Sequence, residues 1–301
     1  MTRRRQPGCS GEGSPRRAAL GIVAVAVVLG AGACASSTPD AAPGAATSGP
    51  AVTANPTAQP SPSPRTSPAG LAERCGVPAR AYRQLLLRTA DGDKLPAAVL
   101  GHGPRGVVLL HESGGRALCG WWPYAVQLQQ AGMHVLLFDL PCYGEATCRN
   151  AKDAGPAVRA AAAELHRSGA SSLALVGASL GASLAVIEGT DPRVGATAVV
   201  ALSPDQDSEA LAAPTGTPDT AIRSAGRLRR PLLAVVAGTG DRYVDVSAVR
   251  QLVRAATSAR ASLWLAPVDA GHGWDMVDGG LGQPTAVGNR VASWLLAHQP
   301  A

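Results

Sequence analysis

The chain is predicted to fold as a doubly wound α/β domain, with about eight mostly parallel strands in one sheet and helices on both of its faces. Three observations predict this. Short, wholly apolar runs such as Val107-Val108-Leu109-Leu110 and Leu173-Ala174-Leu175-Val176 recur along the chain, and uninterrupted apolar strands are those buried on both faces. Stretches of helical length alternate with these runs, which is the βαβ order of a parallel sheet. About 230 residues follow a low-complexity N-terminal part, enough to bury one core of this size.

Two strands enter first, Tyr82 to Leu87 and Leu95 to Leu100, joined as an antiparallel hairpin through Asp91-Gly92-Asp93. Val107 to Leu110 is the third strand. A helix from Trp121 to Gln130 stops at Gly132, followed by strand His134 to Phe138, helix Ala157 to Arg167 and strand Leu173 to Val176. The alternation continues with a helix from Leu180, strand Ala196 to Leu202 and a helix near Thr220 to Arg227. Strand Leu232 to Ala237, helix Ser247 to Thr257, strand Ser262 to Leu265 and helix Val287 to Ala297 complete it. No internal repeat is present.

The N-terminal part has another character. Arg3, Arg4, Arg5, Arg16 and Arg17 precede an apolar stretch from Ala18 to Ala33, which ends in small residues before Cys34. This describes an export signal over residues 1–33. The stretch is shorter than the roughly 20 residues a spanning helix needs. Ala31-Gly32-Ala33-Cys34 fits ordinary secretory cleavage and also resembles a bacterial lipobox, in which Cys34 would carry lipid; a cysteine at the cut favours the lipoprotein, although lipoboxes usually carry leucine where Ala31 stands. Residues 34–70 are rich in Pro, Ser, Thr, Ala and Gly and cannot bury enough surface to offset their ordering entropy, so they read as a flexible linker to a folded domain at 71–301.

Charge excludes one function class. The net charge is +6, of which the first 33 residues, with five arginines and one glutamate, supply +4, leaving +2 on the mature chain. A nucleic-acid partner requires a concentrated basic face, and Arg227, Arg229 and Arg230 read as a solvated edge. Cys75, Cys119, Cys142 and Cys148 remain after processing, and an even number in an exported chain points to disulfides. Three pairings are open, one of which joins Cys142 to Cys148 and Cys75 to Cys119. No metal is expected, because no Cys-x-x-Cys or His-x-x-x-His spacing accompanies them.

Gly177-Ala178-Ser179-Leu180-Gly181 lies between an apolar strand and a helix, the G-x-S-x-G pattern of a nucleophile elbow. The plainer reading is a glycine-rich turn whose serine caps the helix. A serine nucleophile needs a base near neutrality and a carboxylate to orient it. Of six histidines, His272 follows the last strand between Gly271 and Gly273, and it is the candidate base. Gly238-Thr239-Gly240-Asp241 directly follows strand Leu232 to Ala237, and Asp241 is the candidate orienter. Asp205 and Asp207, after an earlier strand, are alternatives, and Asp245 reads as a cap for the following helix. His111-Glu112-Ser113-Gly114-Gly115 follows the third strand and provides N–H groups for an oxyanion hole, with the N–H of Leu180 as the natural second donor.

The order serine, aspartate, histidine, each at a strand end, resembles the α/β-hydrolase fold family over residues 80 to 298. Phe138-Asp139-Leu140-Pro141-Cys142-Tyr143-Gly144-Glu145 is similar to a stretch common in that family, with Cys142 in place of the usual glycine, which supports a local disulfide. His111-Glu112 looks like the dienelactone-hydrolase branch, which implies the N–H of Ser113 as the other oxyanion donor. That branch's namesakes use cysteine where this chain has Ser179. Only about 25 residues, Asp205 to Arg230, separate the sixth and seventh strands, leaving little or no room for a cap. Trp121, Trp122, Tyr124, Tyr143 and Trp274 either wall a substrate pocket or pack helices onto the sheet.

The expectation is a secreted or lipid-anchored serine hydrolase acting on an ester or similar acyl bond of a small-molecule or acyl substrate, without cofactor. A peptidase or acyltransferase would share the acyl-enzyme. A non-catalytic envelope-binding lipoprotein is the rival from another class. The oligomeric state has no sequence signal.

Overall fold

In the computed structural model the described residues are 70–149, 153–205, 220–257, 259–280 and 283–300. The signal segment, the linker, Cys34, Asp207 and most of the segment expected to lack a cap lie outside them. The strands are β1 (Arg83–Arg88), β2 (Lys94–Leu100), β3 (Arg105–Leu110), β4 (His134–Phe138), β5 (Ser172–Ala178), β6 (Ala198–Leu202), β7 (Leu232–Val236) and β8 (Ala261–Leu265). They form one open sheet in the order β1-β2-β4-β3-β5-β6-β7-β8. The β1–β2 and β2–β4 pairs are antiparallel and every other pair is parallel, so a hairpin leads into a doubly wound sheet.

Alternation along each strand divides the core in two. Val107, Leu109, Ala174, Val176 and Val200 face one side, under helices α2 (Trp122–Gln130) and α7 (Ala286–His298). Val108, Leu110, Leu175, Val199 and Ala201 face the other, under α3 (Gly155–Arg167), α4 (Leu180–Glu188), α5 (Ala221–Arg227) and α6 (Val246–Ala255). Side chains at successive strand positions point to opposite faces, so a sheet covered on both sides must be apolar at every position.

Most elements begin and end within two residues of their expected positions. β5 runs further than expected, through Gly177 and Ala178, because Leu110 of β3 pairs with Gly177 and Leu202 of β6 pairs with Ala178. The stretch before α2 winds as a 3-10 turn over Ala117–Trp121, and the helix proper starts at Trp122 with Pro123 in its first turn, where a missing N–H costs nothing. A short helix that the periodicity does not signal, α1 (Leu71–Cys75), closes on Gly76 at φ 64° and buries Leu71.

Four cysteines form two disulfides, Cys75–Cys119 and Cys142–Cys148, spanning 44 and 6 positions. On loop-closure entropy alone these would stabilise the fold by about 4 and about 2 kcal/mol. Trp121, Trp122, Tyr124 and Trp274 are buried and pack helices on the sheet. Of the five aromatics considered as pocket walls, only Tyr143 is partly exposed.

Candidate active site

The strand ends bring the candidate residues to one edge. Ser179 follows β5 directly, with φ 49° and ψ −116°, a conformation that a side-chain-bearing residue adopts at a cost of about 1–3 kcal/mol. Two glycines make the turn feasible. A Cβ at Gly177 would overlap the carbonyl of Gly181, and one at Gly181 would overlap the carbonyl of Leu110. The first turn of α4 is thereby pressed against the end of β3, where the His111 loop begins. Ser179 is partly buried, and its side chain makes no capping bond to the helix.

The neighbouring strand ends are tied in sequence. The Ser179 N–H donates to Leu202 O at 2.9 Å, and the Ser203 N–H donates to Val235 O at 2.7 Å. Asp241 follows β7 through a 3-10 turn at Gly238–Gly240, and His272 follows β8. His272 Nδ1 lies 2.9 Å from Asp241 Oδ1 and 3.1 Å from Oδ2. Asp241 Oδ1 also accepts the N–H groups of Tyr243 at 3.0 Å and Val244 at 3.1 Å. The Ser203 hydroxyl bonds to the same carboxylate and accepts the Gly273 N–H at 3.0 Å.

These contacts set the ionisation. Burial would raise the Asp241 pKa, but its bonds from His272, Ser203 and Tyr243 outweigh that and hold it below the ordinary 3.8. Burial would lower that of His272. The Asp241 bond and charge, helped by Glu112 and Asp275, hold it above 6.5. A carboxylate on Nδ1 fixes the proton there and leaves Nε2 as the free acceptor.

Asp245 caps α6, its carboxylate accepting the Ser247 N–H at 2.6 Å, as expected. The backbone carbonyl of Asp205 accepts from Ser183, and the aspartate bonded to His272 is Asp241. Among the described residues the Ser179 hydroxyl makes no hydrogen bond, so the serine and histidine are brought to one edge but not joined. Contact between their loops runs through their neighbours: a Cβ on Gly273 would meet the Ala178 methyl at 3.3 Å.

The Leu180 N–H is the first of α4 and has no partner within the helix. Ser113 lies on the exposed loop after β3, followed by Gly114 and Gly115, and the start of that loop at Leu110 and His111 adjoins Gly181 of α4. His111 is fully buried, and desolvation pushes its pKa down to about 4, so it is neutral. Its Nδ1 donates to Glu112 O at 2.7 Å while Nε2 accepts the Leu140 N–H at 2.9 Å, which makes it a bracket for the loop. Glu112 packs beside Gly273, with Oε2 buried and unpaired, and burial raises its pKa.

A cavity of about 330 Å³ adjoins this loop, lined by Arg74, Cys75, Gly115, Arg116, Ala117, Cys119 and Gly144. None of Ser179, Asp241 and His272 lines it. Two residues at the site carried no sequence signal. Ser203 is a lone serine after a strand. Tyr243, 77% exposed, sets its ring 4.8 Å from the His272 ring.

No protein-family model and no curated protein matches the chain. Solved structures do. An esterase of Pyrococcus furiosus matches at TM-score 0.61 and 17% identity, covering 79% of this chain and 97% of its own. The chain has the α/β-hydrolase fold. A Klebsiella pneumoniae protein described as a dienelactone hydrolase matches this hydrolase fold at TM-score 0.55 and 16% identity, covering 72% and 97%. Est1E of Butyrivibrio proteoclasticus, solved with ferulic acid bound, matches at 0.56 and 14%, covering 71% and 98%.

Proposed function

We propose that this chain is a serine hydrolase that cleaves an ester or related acyl bond through an acyl-enzyme. The observation that carries the reading is the His272–Asp241 pair at 2.9 Å, at strand ends on the same edge as a strained, partly exposed Ser179. In this mechanism His272 Nε2 takes the Ser179 proton as Oγ attacks the carbonyl carbon. The resulting oxyanion is stabilised by the N–H groups of Leu180 and Ser113. As the C–O bond breaks, the imidazolium passes its proton to the leaving alkoxide. Water then attacks the acyl-enzyme with His272 again as base, releasing the acid and restoring the serine.

The esterases among the structural neighbours favour an ester over an amide. Two disulfides support an extracytoplasmic site of action, because such bonds persist in oxidising compartments. Secretion or a lipid tether at Cys34 is part of the same proposal. The purified protein is expected to hydrolyse short p-nitrophenyl esters, and Ser179→Ala to lose at least about a thousandfold in kcat. A fluorophosphonate should label the wild type at Ser179 and leave the variant unlabelled. Unchanged hydrolysis by Ser179→Ala would sink the assignment.

A further inference from the structure

We propose that helix α1, through Arg74 and the Cys75–Cys119 disulfide, holds the oxyanion loop in its catalytic shape, making Arg74 and Asp139 positioning residues. This rests on the hydrolase reading above and deepens it. The loop after β3 presents Ser113, Gly114, Gly115 and Arg116 to solvent, and within that stretch the side-chain anchor is Arg116, which pairs with Asp278 at 3.2 Å and lies over the Trp274 ring. The Arg116 pair is exposed and contributes little, so the stronger restraints act at the two ends. His111 fixes the first end from inside the core, through its bonds to Glu112 O and the Leu140 N–H.

The far end needs more, because Ala117 sits at φ 45°, a region that residues with a side chain disfavour. Such a conformation persists only where its surroundings over-determine it. Two adjacent residues of α1 supply those constraints to two adjacent residues of the loop. Asp139, fully buried, accepts the Leu118 N–H at 3.1 Å and is itself held by Arg74 at 2.6 and 3.0 Å. Cys75 is bonded to Cys119. The Glu145 N–H adds a fourth bond to Asp139 at 3.0 Å. Gly144, at φ 56°, leaves room for the carboxylate that any Cβ there would strike.

The Arg74 guanidinium is therefore the counter-charge of a buried carboxylate that restrains Leu118. Without it, Asp139 is left as an uncompensated buried charge, which moves towards solvent or draws water in. Each response weakens its hold on the Leu118 N–H. Among the described contacts, neither Arg74 nor Asp139 bonds to Ser179, Asp241 or His272. The effect should therefore fall on the transition-state oxyanion and spare substrate binding.

The test uses Arg74→Ala, Arg74→Lys and the double variant C75A/C119A, assayed with a p-nitrophenyl ester well below their melting temperatures. Arg74→Ala should lower kcat by roughly ten- to a hundredfold, the cost of a small misplacement of catalytic groups. A trifluoromethyl ketone, which forms the tetrahedral oxyanion, should lose affinity by a similar factor while KM changes little. Arg74→Lys keeps the charge without the two-pronged contact and should recover part of the loss. C75A/C119A should move the same quantities in the same direction. Hydrogen exchange at residues 113–117 should quicken in each variant.

The proposal is overturned if kcat and ketone affinity stay within about twofold of wild type in Arg74→Ala, or in the other two variants should that one not fold. A loss confined to KM or to melting temperature overturns it too. A wild type that hydrolyses no ester would defeat the hydrolase reading instead, and exchange at 113–117 would still decide whether the clamp exists.

Discussion

Replacing Asp241 with asparagine keeps the side chain's size and removes its charge, and the geometry says how the amide will settle. Oδ1 accepts the N–H groups of Tyr243 and Val244 at 3.0 and 3.1 Å, so the asparagine carbonyl oxygen must stay there. The NH2 group then takes the Oδ2 position, 3.1 Å from His272 Nδ1, while the neutral carbonyl oxygen stays 2.9 Å from the same nitrogen. With the charge gone and a donor now beside Nδ1, the proton is no longer held there, and the tautomer with its proton on Nε2 gains population. In that tautomer Nε2 cannot accept the Ser179 proton. Loss of the productive tautomer is expected to cost roughly 10³- to 10⁴-fold in kcat, about 4–5.5 kcal/mol of barrier.

The fold should survive with a loss of about 1–2 kcal/mol, because shape and two backbone bonds are kept. That loss depends on pH in a definite direction. The depressed Asp241 pKa contributes stability present above 3.8 and lost as pH falls through its folded value. The raised His272 pKa contributes stability fully present below 6.5 and lost as pH rises through its folded value. The stability gap between wild type and Asp241→Asn is therefore widest between those two values and narrows in alkali. Ester hydrolysis, followed from mildly acid to alkaline pH, and thermal melts at two pH values measure both. An Asp241→Asn enzyme within about tenfold of wild-type kcat/KM would refute the role assigned to this carboxylate.

Two further outcomes are expected. Glu112→Gln removes one of the charges that raise the His272 pKa, so the acid limb of the kcat/KM profile should move to lower pH; an unmoved limb would deny the coupling. Tyr243→Ala removes an exposed ring lying 4.8 Å from His272, and it should raise KM for aryl and long acyl esters severalfold with little change for acetyl esters, as measured across a graded ester series.

Much of the site was legible because its parts obey local rules. The elbow needs glycines on both sides of Ser179, and Asp241 and His272 are polar residues where apolar strands stop. The disulfide pairing was open three ways. Spacing along a chain does not give distance in space, and only the approach of α1 to the loop after β3 joined Cys75 to Cys119. Helix α1 has five residues, too few for a hydrophobic period to show. Ser203 and Tyr243 gain meaning only from what β6, β7 and β8 bring beside them. The tryptophans could have lined a pocket or filled a core, and packing against the sheet decided for the core.

By itself, then, the sequence determined the alternation of strands and helices, the turn that strains Ser179 and the chemistry present at each strand end. These follow from side-chain periodicity and steric limits, which act within a few residues. The tertiary structure alone decided which aspartate meets His272, which cysteines pair and what braces the oxyanion loop. Those contacts join residues tens of positions apart, and they exist only once the sheet has set its strand order.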